Sequence, residues 1–170
     1  MTNGDITLNV LDGKFSYRVG AIIMDSDQIL LAKDKATSFY YTIGGRARFG
    51  ETAEEAIVRE MFEETGLRLE AGELKYVHEN FFTSVEGTDY HELCFYFTVQ
   101  PSSELRQMKQ AFFEEPYGEV PLHWIPIHEL SALDVYPEFF KTEDLNSNSQ
   151  FKRFITRNGR TYPASDHESQ

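Results

Sequence analysis

Glu60, Glu63 and Glu64 crowd three carboxylates into five residues. Positions three and four apart share a face of a helix, so any helix through this stretch presents all three together. Like charges at that spacing repel by roughly a few tenths of a kcal/mol per pair. Arg59 is the only basic residue from 52 to 65 and cannot neutralise them all. A divalent cation can. Hard oxygen donors at this density suit Mg2+ or Mn2+, which keep some water and also bind substrate phosphates. Such an ion neutralises the oxygens of a P–O–P link and acidifies a bound water, and a nearby carboxylate can take the proton. The chemistry within reach is hydrolysis of a phosphoanhydride.

Several elements must position these groups. Segment 52–65 is rich in Glu and Ala, holds no Pro or Gly, and stops at Gly66. That pattern predicts a helix with a glycine terminus. Thr52 and Glu55 have the spacing of a capping box. Ala53, Ile57 and Met61 form a second stripe that can pack inward. Gly44-Gly45 precedes the helix and lets backbone approach a ligand closely. Glu51 and Arg59 can brace the entering loop by a charge-assisted bond.

Strands are expected at 6–10, 17–24, 28–33, 39–43, 74–82, 91–99 and 119–125, with a hairpin turn at Asp25-Ser26-Asp27. Segment 102–113 reads as a helix or an irregular insertion, and 127–133 and 138–145 as short helices. Strands before and after a central helix, then helical C-terminal segments, predict an α/β (α+β) sandwich with a mixed sheet. One domain is expected over 1–160, with a polar tail at 161–170 expected to be disordered.

The chain has 170 residues, 41% of them hydrophobic, enough for one domain with a proper core. A net charge of -12 argues against non-specific binding to nucleic acid or anionic membrane. Metal ions can still supply local positive charge for a polyphosphate. Cys94 is the only cysteine, so no intrachain disulfide forms and a reducing compartment is expected. It sits in an apolar run and reads as a small buried hydrophobe. No stretch is apolar for long enough to span a bilayer, and the expectation is a cytoplasmic protein. His78, His91, His123 and His128 show no metal-ligand spacing and read as structural.

Gly45, Glu51, Arg59, Glu60, Glu63, Glu64 and Gly66, with apolar Met61 and Leu67, resemble the complete Nudix box, G-x5-E-x7-R-E-U-x-E-E-x-G-U, over residues 45–67. No position departs from it. The order of elements from about 17 to 133 also fits that family, including the stretch Trp124 to Leu130. The resemblance implies an α-β-α sandwich with the box as a loop-helix-loop on its face. It also implies a metal-dependent hydrolase, using Mg2+ or Mn2+, that cleaves a nucleoside diphosphate linked to another group. A small-molecule nucleotide-type diphosphate is then the expected partner; many members dimerise, so a homodimer is possible, and the oligomeric state itself is not readable from the sequence.

The same resemblance assigns roles. Glu60 and Glu64 become metal ligands, Glu63 a ligand or base, and the Gly44 carbonyl a backbone ligand. Arg59 and Glu51 become the brace, with Arg59 orienting Glu63. The general base varies in the family. Here the loop before the last expected strand offers Glu114, Glu115 and Glu119, of which Glu119 is favoured as remote ligand or base, and Glu92 is a weaker choice. Arg46 and Arg48, in the loop entering the helix, are candidates for substrate phosphates. One of Phe39, Tyr40 and Tyr41 is a candidate to stack on a base.

Ile43 stands where many members have Pro, and residues 82–84 are Phe-Thr-Ser, which matches neither the proline nor the tyrosine that marks two known subfamilies. The substrate therefore stays open. Two alternatives exist: a catalytically silent Nudix-like module that binds a nucleotide to regulate, and an isomerase of isoprenoid diphosphates, which would need a reactive cysteine.

Overall fold

The computed structural model describes residues 4–33, 35, 38–113, 118–147 and 151–164. The elements are β1 (Thr7–Val10), β2 (Gly13–Asp25), β3 (Gln28–Ala32), β4 (Tyr40–Tyr41), β5 (Gly44–Arg46) and α1 (Ala53–Thr65). They continue with β6 (Ala71–Thr83), β7 (Asp89–Val99), α2 (Ser103–Gln107), β8 (Gln110–Phe113), β9 (Gly118–Pro126), β10 (Val135–Tyr136), β11 (Lys152–Arg157) and β12 (Arg160–Pro163). Two 3-10 segments, Ile127–Ala132 and Glu138–Lys141, flank β10.

The strands form one mixed sheet in the order β10-β4-β3-β2-β7-β6-β11-β12, with β1 and β5 on β2 and the β8–β9 pair on β3. β2 runs parallel to β7, β6 to β11 and β4 to β10; the other pairs are antiparallel. Period-two alternation in β2 builds a core on each face. Val19, Ala21 and Ile23 meet Ala56, Ile57 and Met61 of α1. Ile22 faces the other way, into Tyr76, Tyr96, Phe139, Phe140 and Phe154.

β2 and β3 pair only at their turn, Met24 with Ile29 and Asp25 with Gln28. Ser26 there adopts a left-handed conformation, φ 55°. Beyond the turn the two strands part. β3 takes β9 and β4 as neighbours, while β2 takes β5 through Arg18–Arg46, Val19–Gly45 and Gly20–Gly44. Gly44 is needed for that insertion, because a Cβ there would strike the Val19 carbonyl.

The expected α/β fold with a mixed sheet is present, and four details differ. The strand expected at 39–43 is only the two-residue β4, after which the chain crosses from β3 to β2 and forms β5 at Gly44–Arg46. Segment 102–113 divides into the five-residue α2, capped by Ser102, and β8. The two C-terminal helices are single 3-10 segments, and aromatic side chains cover that face of the sheet. β11 and β12 were not anticipated. They form a hairpin whose turn residues Asn158 and Gly159 have φ 54° and 70°, the conformation a two-residue turn requires. Strand pairing thus runs to Pro163, past the boundary placed at 160, and residues 165–170 lie outside the described residues. No helix among the described residues is long and apolar enough to cross a membrane.

Candidate active site

The box helix is closed at both ends as its sequence predicts. The Thr52 side chain accepts from Glu55 N at 3.2 Å, and the Glu55 carboxylate accepts from Thr52 N at 2.8 Å. Gly66 caps the C-terminus at φ 73°, donating to Phe62 O. Ala53, Ala56, Ile57 and Met61 are buried, which fixes the rotation of the helix and turns the glutamates toward the glycine loop.

Arg59 organises that loop. Nε and Nη2 donate to both Glu51 oxygens at 2.6 and 3.0 Å, a bidentate pair. Nη2 also donates to Arg46 O at 2.9 Å. Nη1 donates to Glu60 at 2.7 Å and Glu63 at 3.0 Å. Glu51 further accepts from Arg48 N at 2.8 Å, and the Arg59 hydrogen bonds, with this one, hold its carboxyl below the ordinary range. The expected brace is in place. Arg48 pairs with Glu63 at 3.1 Å and with Asp5 at 3.6 Å, so its guanidinium is committed to protein carboxylates. Arg46 is exposed.

The remaining two glutamates are in an unusual state. Glu60 lies against Gly45 so closely that a Cβ there would collide with the carboxylate. Burial raises its pKa, only partly offset by Arg59. Glu64 is 7% exposed. Burial first, then the charge of Glu60, push its pKa well above the usual carboxylate range, against a backbone hydrogen bond from Gly44. Its Oε2 is buried with no hydrogen-bond partner. A buried ionisable oxygen without a partner costs on the order of 1–3 kcal/mol or more. Among the described residues no three acidic, imidazole or thiol groups are already gathered at metal-ligand spacing. Glu60 and Glu63 are instead drawn onto Arg59. The orphaned Glu64 oxygen and the depressed acidity of two neighbouring carboxyls fit a divalent cation, which would relieve both.

A family model, NUDIX domain, matches residues 14–143. The chain belongs to the Nudix family. A candidate 8-oxo-dGTP diphosphatase of Bacillus subtilis (strain 168) is 49% identical over 53 residues, covering 29% of this chain and 36% of the relative. A candidate nudix hydrolase 1 of Caenorhabditis elegans is 33% identical over 96 residues, covering 52% and 25%. The chain thus spans about a third and a quarter of these curated relatives. Among solved structures, the MutT protein of Bacillus halodurans shares the fold at TM-score 0.64, with 23% identity over 88% of this chain and 95% of that one. A MutT Nudix hydrolase of Burkholderia pseudomallei gives 0.53, with 26% identity over 66% and 84%.

In this Nudix chain Glu119 stands at the start of β9, exposed, and lines a cleft of about 270 Å3 with Glu63, Glu64, Thr65 and Phe112. The strand thus brings it to the box helix, as a remote ligand or base would need. Glu114 and Glu115 lie outside the described residues. Glu92 is elsewhere, buried on the opposite face against Tyr136. His78 is buried, bonded to Thr156; His91 stacks on Phe81; His123 meets Tyr40; His128 is exposed. Cys94 is buried and its pKa is pushed up to about 12 by burial, so it is no nucleophile near neutral pH. Tyr40 packs beside His123 under Lys33, while Phe39 contacts Tyr41 and Tyr136. Sequence reasoning passed over Arg18, because its neighbour Glu92 is 74 positions away and only the strand register joins them.

Proposed function

We propose that this Nudix protein is a pyrophosphohydrolase that, with Mg2+ or Mn2+, cleaves the phosphoanhydride of a nucleoside diphosphate linked to another group. The observation that carries the reading is the buried, unpartnered oxygen of Glu64 beside Glu60 in a complete Nudix box. Glu60, Glu64 and the Gly44 backbone would hold the ion. When bound, it supplies charge neutralisation for the phosphates and an acidified water. Arg59 tethers Glu60 and Glu63 by direct hydrogen bonds beside the glycine loop, and Glu60 would leave that tether to join the ligand set. Among the described residues, Glu63 and Glu119, which share the cleft, are suited to accept a proton there.

The name of the Bacillus subtilis relative makes oxidised purine nucleoside triphosphates the first substrates to try. The test is a phosphate-release screen with Mg2+ and with Mn2+, using coupled pyrophosphatase and phosphatase. The panel holds 8-oxo-dGTP, ordinary nucleoside triphosphates, ADP-ribose, sugar nucleotides and dinucleoside polyphosphates. Metal-dependent turnover of one class is expected. Absence of turnover across the panel, with Mg2+ binding intact, would favour the silent nucleotide-binding module instead.

A further inference from the structure

The face of the sheet opposite α1 carries a polar chain that the reaction described above leaves unused. Glu92 is 8% exposed. Its Oε1 accepts from the Tyr136 hydroxyl at 3.0 Å, and that hydroxyl accepts from Asn80 Nδ2 at 2.8 Å. Its Oε2 faces Arg18 Nε at 3.7 Å. The register fixes the set: Glu92 pairs with Ser16 on β2 and with Asn80 on β6, two residues from Arg18. Burying a carboxylate, a phenol and an amide to hold one arginine is expensive unless the arginine has a task.

Arg18 differs from the arginines of the box loop. Arg59 is spent on Glu51, Glu60 and Glu63, and Arg48 on Glu63 and Asp5. Arg18 has Glu92 as its ionic partner, yet 35% of its side chain is open to solvent. Burial opposes its charge, but Glu92 outweighs burial and keeps the guanidinium protonated. It is also close enough to the box helix for its charge to favour the ionised forms of Glu60 and Glu64. β5 explains this nearness, since Arg18 pairs with Arg46 two residues from the Gly20–Gly44 pair. Tyr136, whose hydroxyl bonds Glu92, lies beside the Arg18–Glu92 pair, and its ring is 6.2 Å from that of Phe39. A cation thus stands between the helix carboxylates and the buried Glu92 with its partner Tyr136.

We infer that Arg18 is a substrate-binding residue that pairs with a phosphate oxygen, and that Glu92, fixed by Tyr136 and Asn80, is the residue that positions it. This rests on the hydrolase reading only in taking the anion to be a phosphate of the same substrate. Arg18 holds the phosphate on the sheet side of the carboxylates. Arg46 and Arg48 are not needed for that contact.

Two measurements test it. For binding without turnover, the probe is imidodiphosphate, a non-hydrolysable pyrophosphate, titrated with Mg2+ into wild type, Arg18→Gln, Arg18→Lys and Glu92→Gln, each checked for a normal circular-dichroism spectrum. Loss of one charge-assisted contact should weaken binding roughly tenfold to hundredfold in Arg18→Gln, with partial rescue in Arg18→Lys and a smaller loss in Glu92→Gln. For turnover, the substrate found by the screen should show KM raised by a like factor in Arg18→Gln with kcat changed much less. Variants that bind and turn over like wild type would overturn the assignment and leave the hydrolase standing. Probe binding that depends on Arg18 in a protein that hydrolyses nothing would keep the assignment and remove the hydrolase. A wild type that neither binds the probe nor hydrolyses any nucleotide would sink both.

Discussion

Glu64 and Glu92 are buried to nearly the same degree, 7% and 8% exposed, on opposite faces of one sheet. Their surroundings differ. Glu92 has a phenol on one oxygen and a guanidinium facing the other. Glu64 has one oxygen with no partner and a second carboxylate beside it. Equal burial with unequal satisfaction separates two uses of a buried acid. Glu92 is complete within the protein and serves to hold another side chain. Glu64 is incomplete, and what would complete it carries positive charge. Arg59 cannot be that charge, since its donors are already shared among Glu51, Glu60, Glu63 and Arg46 O.

The largest effect that would break this contrast lies at Glu64. Glu64→Gln keeps volume and removes charge, and turnover should fall on the order of a thousandfold. Stability should move the other way in metal-free buffer, with the melting temperature equal to wild type or higher, because a neutral amide is cheaper to bury there than a carboxylate. Mg2+ at a hundredfold over its Kd should stabilise wild type by about 2.7 kcal/mol, and this gain should shrink sharply in the variant. Near-normal turnover in Glu64→Gln, or a melting temperature indifferent to millimolar Mg2+ in wild type, would remove Glu64 from the ligand set.

Glu92 should respond oppositely. Glu92→Ala leaves the Tyr136 hydroxyl without its acceptor and Arg18 without its counter-charge, a loss of about 2–3 kcal/mol once the partial exposure of Arg18 is discounted. Urea denaturation of wild type and variant, metal-free, measures it. If Glu92→Ala proved as stable as wild type, the two glutamates would not differ in the way their partners indicate.

The two sites were unequally legible in the sequence, for a physical reason. Everything around Glu64 is local: the capping box, the Gly66 stop and the apolar stripe lie within one helix, and Gly44-Gly45 lies just ahead of it. Spacing along the chain was enough to group Glu51, Arg59, Glu60, Glu63 and Glu64. Glu119 could be suspected from its loop but needed β9 to be placed at the cleft. The Arg18–Glu92–Tyr136–Asn80 set joins β2, β7, β10 and β6, and no local pattern encodes the parallel register of β2 with β7. The β11–β12 hairpin is a different case, because Asn158-Gly159 was a readable turn signal and its apolar flanks were too short to draw notice. Among the aromatics before the glycines, alternation was foreseeable, and it places Tyr40 apart from Phe39 and Tyr41.

His78 sharpens the comparison from a third side, with the smallest effect. It is 1% exposed on the Glu92 face, with Nε2 2.7 Å from Thr156 Oγ1 and Nδ1 buried without a partner. An orphaned atom therefore does not by itself mark a ligand site. A neutral imidazole tolerates one at modest cost, whereas an ionised carboxylate does not. Burial lowers the His78 pKa from 6.5 to about 4, so the folded protein favours the neutral ring. The unfolded chain binds a proton first as pH falls, so this contribution is fully present above about pH 6.5 and is lost between there and about pH 4. Between pH 7 and pH 5 the loss should be about 2 kcal/mol. Denaturation of wild type at both values, compared with His78→Gln, measures it. The pH-dependent difference should largely vanish in the variant. If instead the two proteins lost stability in parallel, the ring would be charged in the folded state, Nδ1 would have found a partner, and its orphaned atom would belong with that of Glu64 rather than in contrast to it.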